Sequence, residues 1–283
     1  MTPFFDFFIG VDQTGAVQAG RPKPLPCVVL ARKGEDWVMT ATQRSGKPLS
    51  LPHFSSQCFE NLLEPFRRGL DANVGLIVDC VFGLPWASWK ATGERPGDLR
   101  SLIRHCSSET DYGRAASEKF FGKWSGDVLQ RRECERLSGS NSVFVTRPYQ
   151  RNVQTGTYRI WRDLALAGDE DYFSFWPFDP PKRGRPWIFE GYPTFYWRSL
   201  FGKRTRSPHA FDTVVTTARA YGLSLRVKGR AAIAADPNLA DAAILALAGL
   251  LLQQKENLFS PFEQFPLQLC ARAEGWIAGV SPL

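Results

Sequence analysis

The sequence is short of the residues from which many active sites are built. Its 283 residues hold three histidines, His53, His105 and His209, and none stands at metal-ligand spacing from another. Six cysteines include no C-x-x-C pair. That excludes a zinc knuckle and a compact disulfide framework, and points to reduced thiols. No G-x-S-x-G turn and no G-x-x-x-x-G-K-[ST] loop occurs, which argues against a serine hydrolase and a P-loop nucleotidase. The longest apolar run, AAILALAGLLL at 242–252, is too short to span a bilayer. MTPFFDFFIGVD has no basic leader, and Asp6 interrupts it, so a secretory signal is not expected. A cytoplasmic protein is the expectation.

What is there is an ordinary globular composition, 43% hydrophobic and 22% charged, which supplies a sizeable core. Nine Trp and 21 Phe make the packing bulky. A net charge of +7 permits a polyanionic partner without requiring one.

Periodicity predicts a strand over 4–11, FFDFFIGV, and a hairpin of PCVVLAR (26–32) and DWVMTAT (36–42). A helix over 55–68 follows, with Phe59, Leu62, Leu63 and Phe66 on one face, then the buried strand NVGLIVD. Three strands, a helix and a strand open an α/β fold. Residues 86–185 are rich in Arg, Ser, Gly and Trp, and read as a mostly helical insertion. Helices are expected there near 98–106, 112–123, 127–137 and 155–167. FDPPKRGRP (178–186) reads as a connector. A strand in PWIFEGYP, a helix opened by Pro193, a helix over 209–222 and an apolar helix over 237–254 complete the pattern. The expected organisation is one domain over 1–283, with 86–185 inserted.

Four acids sit where a strand or helix core begins or stops: Asp12, Asp79, Glu190 and Asp241. Asp236-Pro237 reads as an N-cap followed by Pro at the first helical position, which explains Asp236 without function. Asp241 lies a turn further in, on the face of Ile244, Leu245, Ala248 and Leu252, so it points toward the sheet. A buried carboxylate needs a partner. Strand ends of an α/β sheet open on a common crevice, and acids gathered there repel one another unless a cation intervenes. Mg²⁺ or Mn²⁺, hard ions with oxygen ligands, suit such a set and support phosphodiester hydrolysis. Each acid also has a structural reading: Asp12 as a turn former, Asp79 as a cap before Gly83, Glu190 as a surface partner of Arg185 or Arg198, Asp241 as a helix N-terminal charge.

IVDCVFGLP, IFEGYP, LADAAILALAG and EGWIAGV, with RRECERLSGSN and VQTGTYRIWRDLA in the insertion, resemble an uncharacterised bacterial family of predicted nucleases. That family is described as RNase H-like and is distantly similar to the Holliday-junction resolvases. The resemblance runs from residue 9 to about 278. It implies an α/β RNase H-like sheet, three antiparallel strands followed by parallel ones and flanked by helices. It also implies Asp12, Asp79, Glu190 and Asp241 as metal-binding and catalytic acids, with nucleic acid as substrate. Asn238 stands where resolvase-like helices carry a second acid, which points toward one ion, or binding alone.

Basic residues at Arg131, Arg132, Arg136, Arg147, Arg151, Arg159 and Arg162, and at Lys182, Arg183, Arg185, Lys203, Arg204 and Arg206, are candidates for phosphate contacts. Arg132, Arg136, Arg162 and Asn238 are the substrate-binding candidates carried forward. Trp176, Trp187, Tyr192 and Tyr196 are core residues or stacking platforms. Two other functions fit parts of the pattern. IGVDQTGAV resembles the first phosphate motif of actin-like ATPases and sugar kinases, although no late Gly-Gly loop follows. A non-catalytic nucleic-acid-binding module would keep the fold without full metal capacity.

Overall fold

The computed structural model describes residues 5–13, 17–18, 21–66, 73–108, 111–125, 131–144, 153–180, 184–202, 208–255, 258–259 and 266–281. Its strands are β1 (Phe7–Val11), β2 (Val17–Gln18), β3 (Arg21–Pro22), β4 (Leu25–Lys33), β5 (Asp36–Thr40), β6 (Ser50–Leu51), β7 (Val74–Val78), β8 (Ser174–Phe175), β9 (Trp187–Glu190) and β10 (Leu225–Lys228). Eight of these form one mixed sheet in the order β10-β5-β4-β1-β7-β9-β8, with β6 paired on β4; β2 and β3 form a separate ribbon. β1, β4 and β5 are antiparallel in chain order. β7 then joins the other edge of β1 in parallel, and β9 joins β7 likewise.

The helices are α1 (Ser56–Leu63), α2 (Trp86–Thr92), α3 (Leu99–Arg104), α4 (Arg114–Gly122), α5 (Glu133–Ser138), α6 (Val153–Ala167), α7 (Pro193–Ser199), α8 (Pro208–Ala220), α9 (Arg230–Ala235), α10 (Pro237–Gln254) and α11 (Leu267–Glu274). The mixed α/β class and the large helical region at 86–185 are as expected. The expected helix over 127–137 is shorter, Glu133–Ser138, with the Glu135 carboxylate reaching back to accept from the Arg132 backbone N–H at 2.9 Å; residues 126–130 lie outside the described residues. The helix expected over 55–68 ends at Leu63, just before Glu64 and Pro65. β10, which pairs in parallel with β5, was not anticipated: LRVK carries two charges and alternates too weakly to be read as a strand.

The pleat divides the core in two. Phe8, Val28, Leu30, Ile77 and Phe189 face α7, α8 and α10. Phe7, Ile9, Val11, Val29, Leu76, Val78 and Ile188 face the helical insertion. α10 is apolar all round because it is buried all round. It comes very close to β1: a Cβ on Gly10 would stand 1.8 Å from the Ala242 carbonyl oxygen. Gly249, further along, leaves room for Phe8 and Ile77 in the same way. These two glycines set the depth at which α10 lies on the sheet. No helix among the described residues is long and apolar enough to cross a membrane.

Candidate acidic cleft

Three strand ends and one helix bring the four acids to one place. Val11 is in register with Val78, and Val78 with Glu190, so β1, β7 and β9 finish side by side. Asp12 and Asp79 are the next residues on their strands, and the ladder runs on into them: Asp12 N–H donates to Pro26 O at 3.1 Å, and Asp79 N–H to Val11 O at 3.0 Å. α10 crosses this rim with its N-terminal turns. Asp236 caps it, accepting from Asn238 N at 2.8 Å and Leu239 N at 3.4 Å, and Pro237 takes the first helical position as expected. Asp12, Gln13, Asp79, Glu190, Asn238 and Asp241 all line a cleft of about 360 Å³.

The registers also separate the acids. Asp12 has the parity of Phe8 and Gly10, and Asp79 that of Ile77, so both belong to the α10 face, where Asp241 stands. Glu190 has the parity of Ile188, on the insertion face. There it meets Arg132, whose Nη1 donates to Oε2 at 2.7 Å and whose Nη2 donates to Oε1 at 2.5 Å. Phe82 N–H adds a third bond to Oε2 at 2.9 Å. Arg132 also grips Glu135 through Nε at 2.9 Å. All three side chains are buried. Burial pushes the Glu190 carboxyl above its ordinary value, and the bonds from Arg132 and Phe82 work against that push.

Asp12 and Asp241 are 3% and 2% exposed, while Asp79 is half-buried. Asp241 Oδ1 accepts from the indole Nε1 of Trp197 at 2.9 Å. This is a direct consequence of α7 packing on α10, and it fixes one oxygen of the acid. Asp241 is buried together with Ile244, Leu245, Ala248 and Leu252, as is every residue of α10 from Leu239 to Leu252.

The donor set is oxygen throughout, three carboxylates and the Asn238 carbonyl, which is the chemistry a hard divalent ion selects. Among the described residues, however, no three or more His, Cys, Asp or Glu side chains are grouped as they stand so as to hold a metal ion. The acids share a cleft without forming a closed cage.

The candidate basic and aromatic residues take different positions. Arg132 does not offer a surface for phosphate: it is 1% exposed and bound to two carboxylates. It is also the partner of Glu190, in place of Arg185 or Arg198; Arg185 donates to Asp171 O instead. Arg162 is 5% exposed, with its guanidinium 3.6 Å over the Tyr112 ring, away from the cleft lining. Arg136 is exposed and pairs with Glu133 within its own helix, at 2.9 Å. Trp176, Trp187 and Tyr196 are core residues; of the four aromatics only Tyr192 lines the cleft. Arg147, Arg151, Lys182, Arg183, Lys203, Arg204 and Arg206 lie outside the described residues, as does the side chain of His209.

Two contributors were missed by sequence reading. Trp197 orients Asp241, and its position four residues after Pro193 gave no sign of it. EGWIAGV packs against the end of β9, with Ala278 N–H donating to Glu190 O at 2.9 Å and Tyr196 OH to Ala278 O at 2.9 Å. Comparison with protein-family models, with curated proteins and with solved structures finds no match.

Proposed function

We propose that this chain is an RNase H-like, metal-dependent phosphodiesterase acting on nucleic acid, as the sequence resemblance implies. One observation carries the reading: Asp12 and Asp79, at the ends of adjacent parallel strands, share a cleft with Asp241 from the helix that crosses them. Such a sheet, three antiparallel strands continued by parallel ones, is the arrangement the resemblance leads one to expect.

In this reading Asp12, Asp79 and Asp241 hold Mg²⁺ or Mn²⁺, and Asn238 adds a neutral carbonyl. The ion, when bound, lowers the pKa of water and neutralises charge on the leaving oxygen. Trp197 holds Asp241 in one orientation. Asp79, half-buried and on the loop side of its strand, turns inward to complete the set. Glu190, neutralised by Arg132, forms the wall on the insertion side and shapes the cleft; it is a positioning residue. Gln13 and Tyr192 stand at the same rim, able to contact the sugar-phosphate strand.

The test is cleavage of single-stranded, duplex and branched DNA and RNA with Mg²⁺ or Mn²⁺, beside Asp12→Asn. Metal-dependent cleavage lost in the variant supports the proposal, and cleavage that survives it removes Asp12 from the chemistry. A non-catalytic nucleic-acid-binding module is the second reading, favoured by the absence of a three-acid grouping among the described residues. Strong, salt-dependent binding without turnover is its signature. Hydrolysis of ATP without nucleic acid would instead indicate the actin-like alternative.

A further inference from the structure

Arg159 on α6 is 3% exposed, yet most of its donors are unused. Nη2 donates to Pro52 O at 3.3 Å. Nε forms an ion pair with Asp163 Oδ2 at 3.9 Å, too long for a hydrogen bond. Among the described residues, Nε and Nη1 have no hydrogen-bond partner. Asp163 is already engaged: Oδ2 accepts from Phe54 N at 3.0 Å, and Oδ1 lies 3.8 Å from His53 Nδ1. Arg162 acts on the same carboxylate, so two arginines and His53 surround Asp163. A buried guanidinium with open donors is costly until acceptors meet them, even beside a counter-charge. A guanidinium fork fits the oxygens of a phosphate.

We propose that Arg159 anchors a phosphate-binding site between α6 and the 52–54 segment. His53, with its side chain 57% exposed, is the solvent-facing member of this cluster, 3.8 Å from Asp163 Oδ1. Asp163 holds the segment in place through Phe54. Tyr112 stacks under Arg162, its ring centroid 3.6 Å from the guanidinium carbon. The site is separate from the acidic cleft but lies along the same helix. Val153 lines the cleft and Gly156 lies against Gln13, whereas Arg159 is six residues beyond Val153, about 9 Å along the axis. A phosphate held there belongs either to a nucleic-acid strand running out of the cleft or to a free phosphate ion. The site itself requires no metal and no turnover, so it stands or falls independently of the proposed hydrolysis.

The test is calorimetric titration without divalent ions, at constant ionic strength, of the wild type, Arg159→Met and Arg159→Lys. The probes are inorganic phosphate and a short oligothymidylate without terminal phosphates. Binding of either probe to the wild type, weakened at least about tenfold in Arg159→Met and by less in Arg159→Lys, supports the site. A response to inorganic phosphate assigns it to the free ion, and a response to the oligonucleotide alone assigns it to the strand. No binding of either probe at millimolar concentration, or equal binding by the Met variant, overturns it. Should Arg159→Met fail to fold, equal binding by Arg159→Lys and the wild type overturns it, because the lysine keeps the charge but loses the fork.

Discussion

Arg132 and Glu190 form a buried, two-pronged ion pair at the edge of the acidic cleft, with Nη1 to Oε2 at 2.7 Å. The pair joins α5 of the insertion to the end of β9, and so fixes the insertion against the sheet. It also withdraws one acid from the cleft, because both Glu190 oxygens already accept from Arg132.

Arg132→Met leaves Glu190 and Glu135 buried without their counter-charge. A loss of about 3–5 kcal/mol is expected in urea unfolding. Adding Glu190→Gln to that variant recovers part of the loss, since glutamine still accepts from Phe82 N–H and carries no charge. A double variant no more stable than Arg132→Met would show that the cost lies elsewhere.

Gly10 sets the approach of α10 to β1. Gly10→Ala places a methyl carbon 1.8 Å from the Ala242 backbone oxygen, so the helix must lift. Roughly 1–3 kcal/mol of destabilisation is expected from overpacking, with divalent-ion affinity reduced as Asp241 moves away from Asp12. Unchanged stability and ion binding together would mean that the helix is not set by this contact.

Trp197→Phe replaces the buried indole by a smaller phenyl ring and removes the donor to Asp241. Loss of the indole donor to the buried oxygen costs about 1–3 kcal/mol. Ion affinity is expected to fall roughly 10- to 100-fold, the range for removal of an outer partner of a metal ligand. Thermal unfolding and manganese titration separate the two effects.

Thiol labelling reports the core directly. Cys27, Cys80, Cys106 and Cys134 are buried, and burial pushes the thiols of Cys27, Cys80 and Cys134 far above their ordinary range. Cys58 and Cys270 are half-buried, and burial also raises the Cys270 thiol. At pH 8 the native chain should therefore show one faster and one slower reaction with an aromatic disulfide, from Cys58 and Cys270 in that order. All six should react in denaturant. Rapid native reaction of more than two would contradict the packing.

At the far edge of the sheet, Asp36 accepts from Ser224 Oγ at 2.6 Å and faces Arg226, which together hold its carboxyl below the ordinary 3.8. A lowered folded pKa gives stability that is present above the ordinary value and is lost as pH falls through the folded one. Asp36→Asn should flatten the unfolding curve in that acid window and leave it unchanged near neutrality in shape. An unaltered acid limb would show that the contact contributes nothing.

The sheet was largely readable because its strands are apolar runs punctuated by Gly, Pro and Asp: NVGLIVD and PWIFEGYP each declare a buried strand and an acid at its end. Asp241 was readable for a different reason, since Asp236-Pro237 fixes the start of α10 and helical spacing then fixes the face. Convergence of the chain's acids on one cleft follows from strand order, which no local pattern encodes. Arg132 was misread because its neighbours RRECER look like a solvated helix face. Its burial depends on Glu190, 58 residues away in sequence, and on Glu135. The cluster around Asp163 escaped for the same reason: Arg159 and Arg162 are separated by only a turn, but the 52–54 segment that meets them lies 109 residues earlier, counted from Phe54 to Asp163.

Manganese binding to the metal-free protein, followed by electron paramagnetic resonance in the wild type and in Asp12→Asn and Asp241→Asn, bears most directly on the acidic cleft. The expected result is specific binding by the wild type that weakens in each variant by more than the roughly 10- to 100-fold typical of outer-partner changes. Binding that both variants retain at full strength, or none by the wild type at millimolar manganese, would contradict the assignment of Asp12, Asp79 and Asp241 as ligands of a divalent ion.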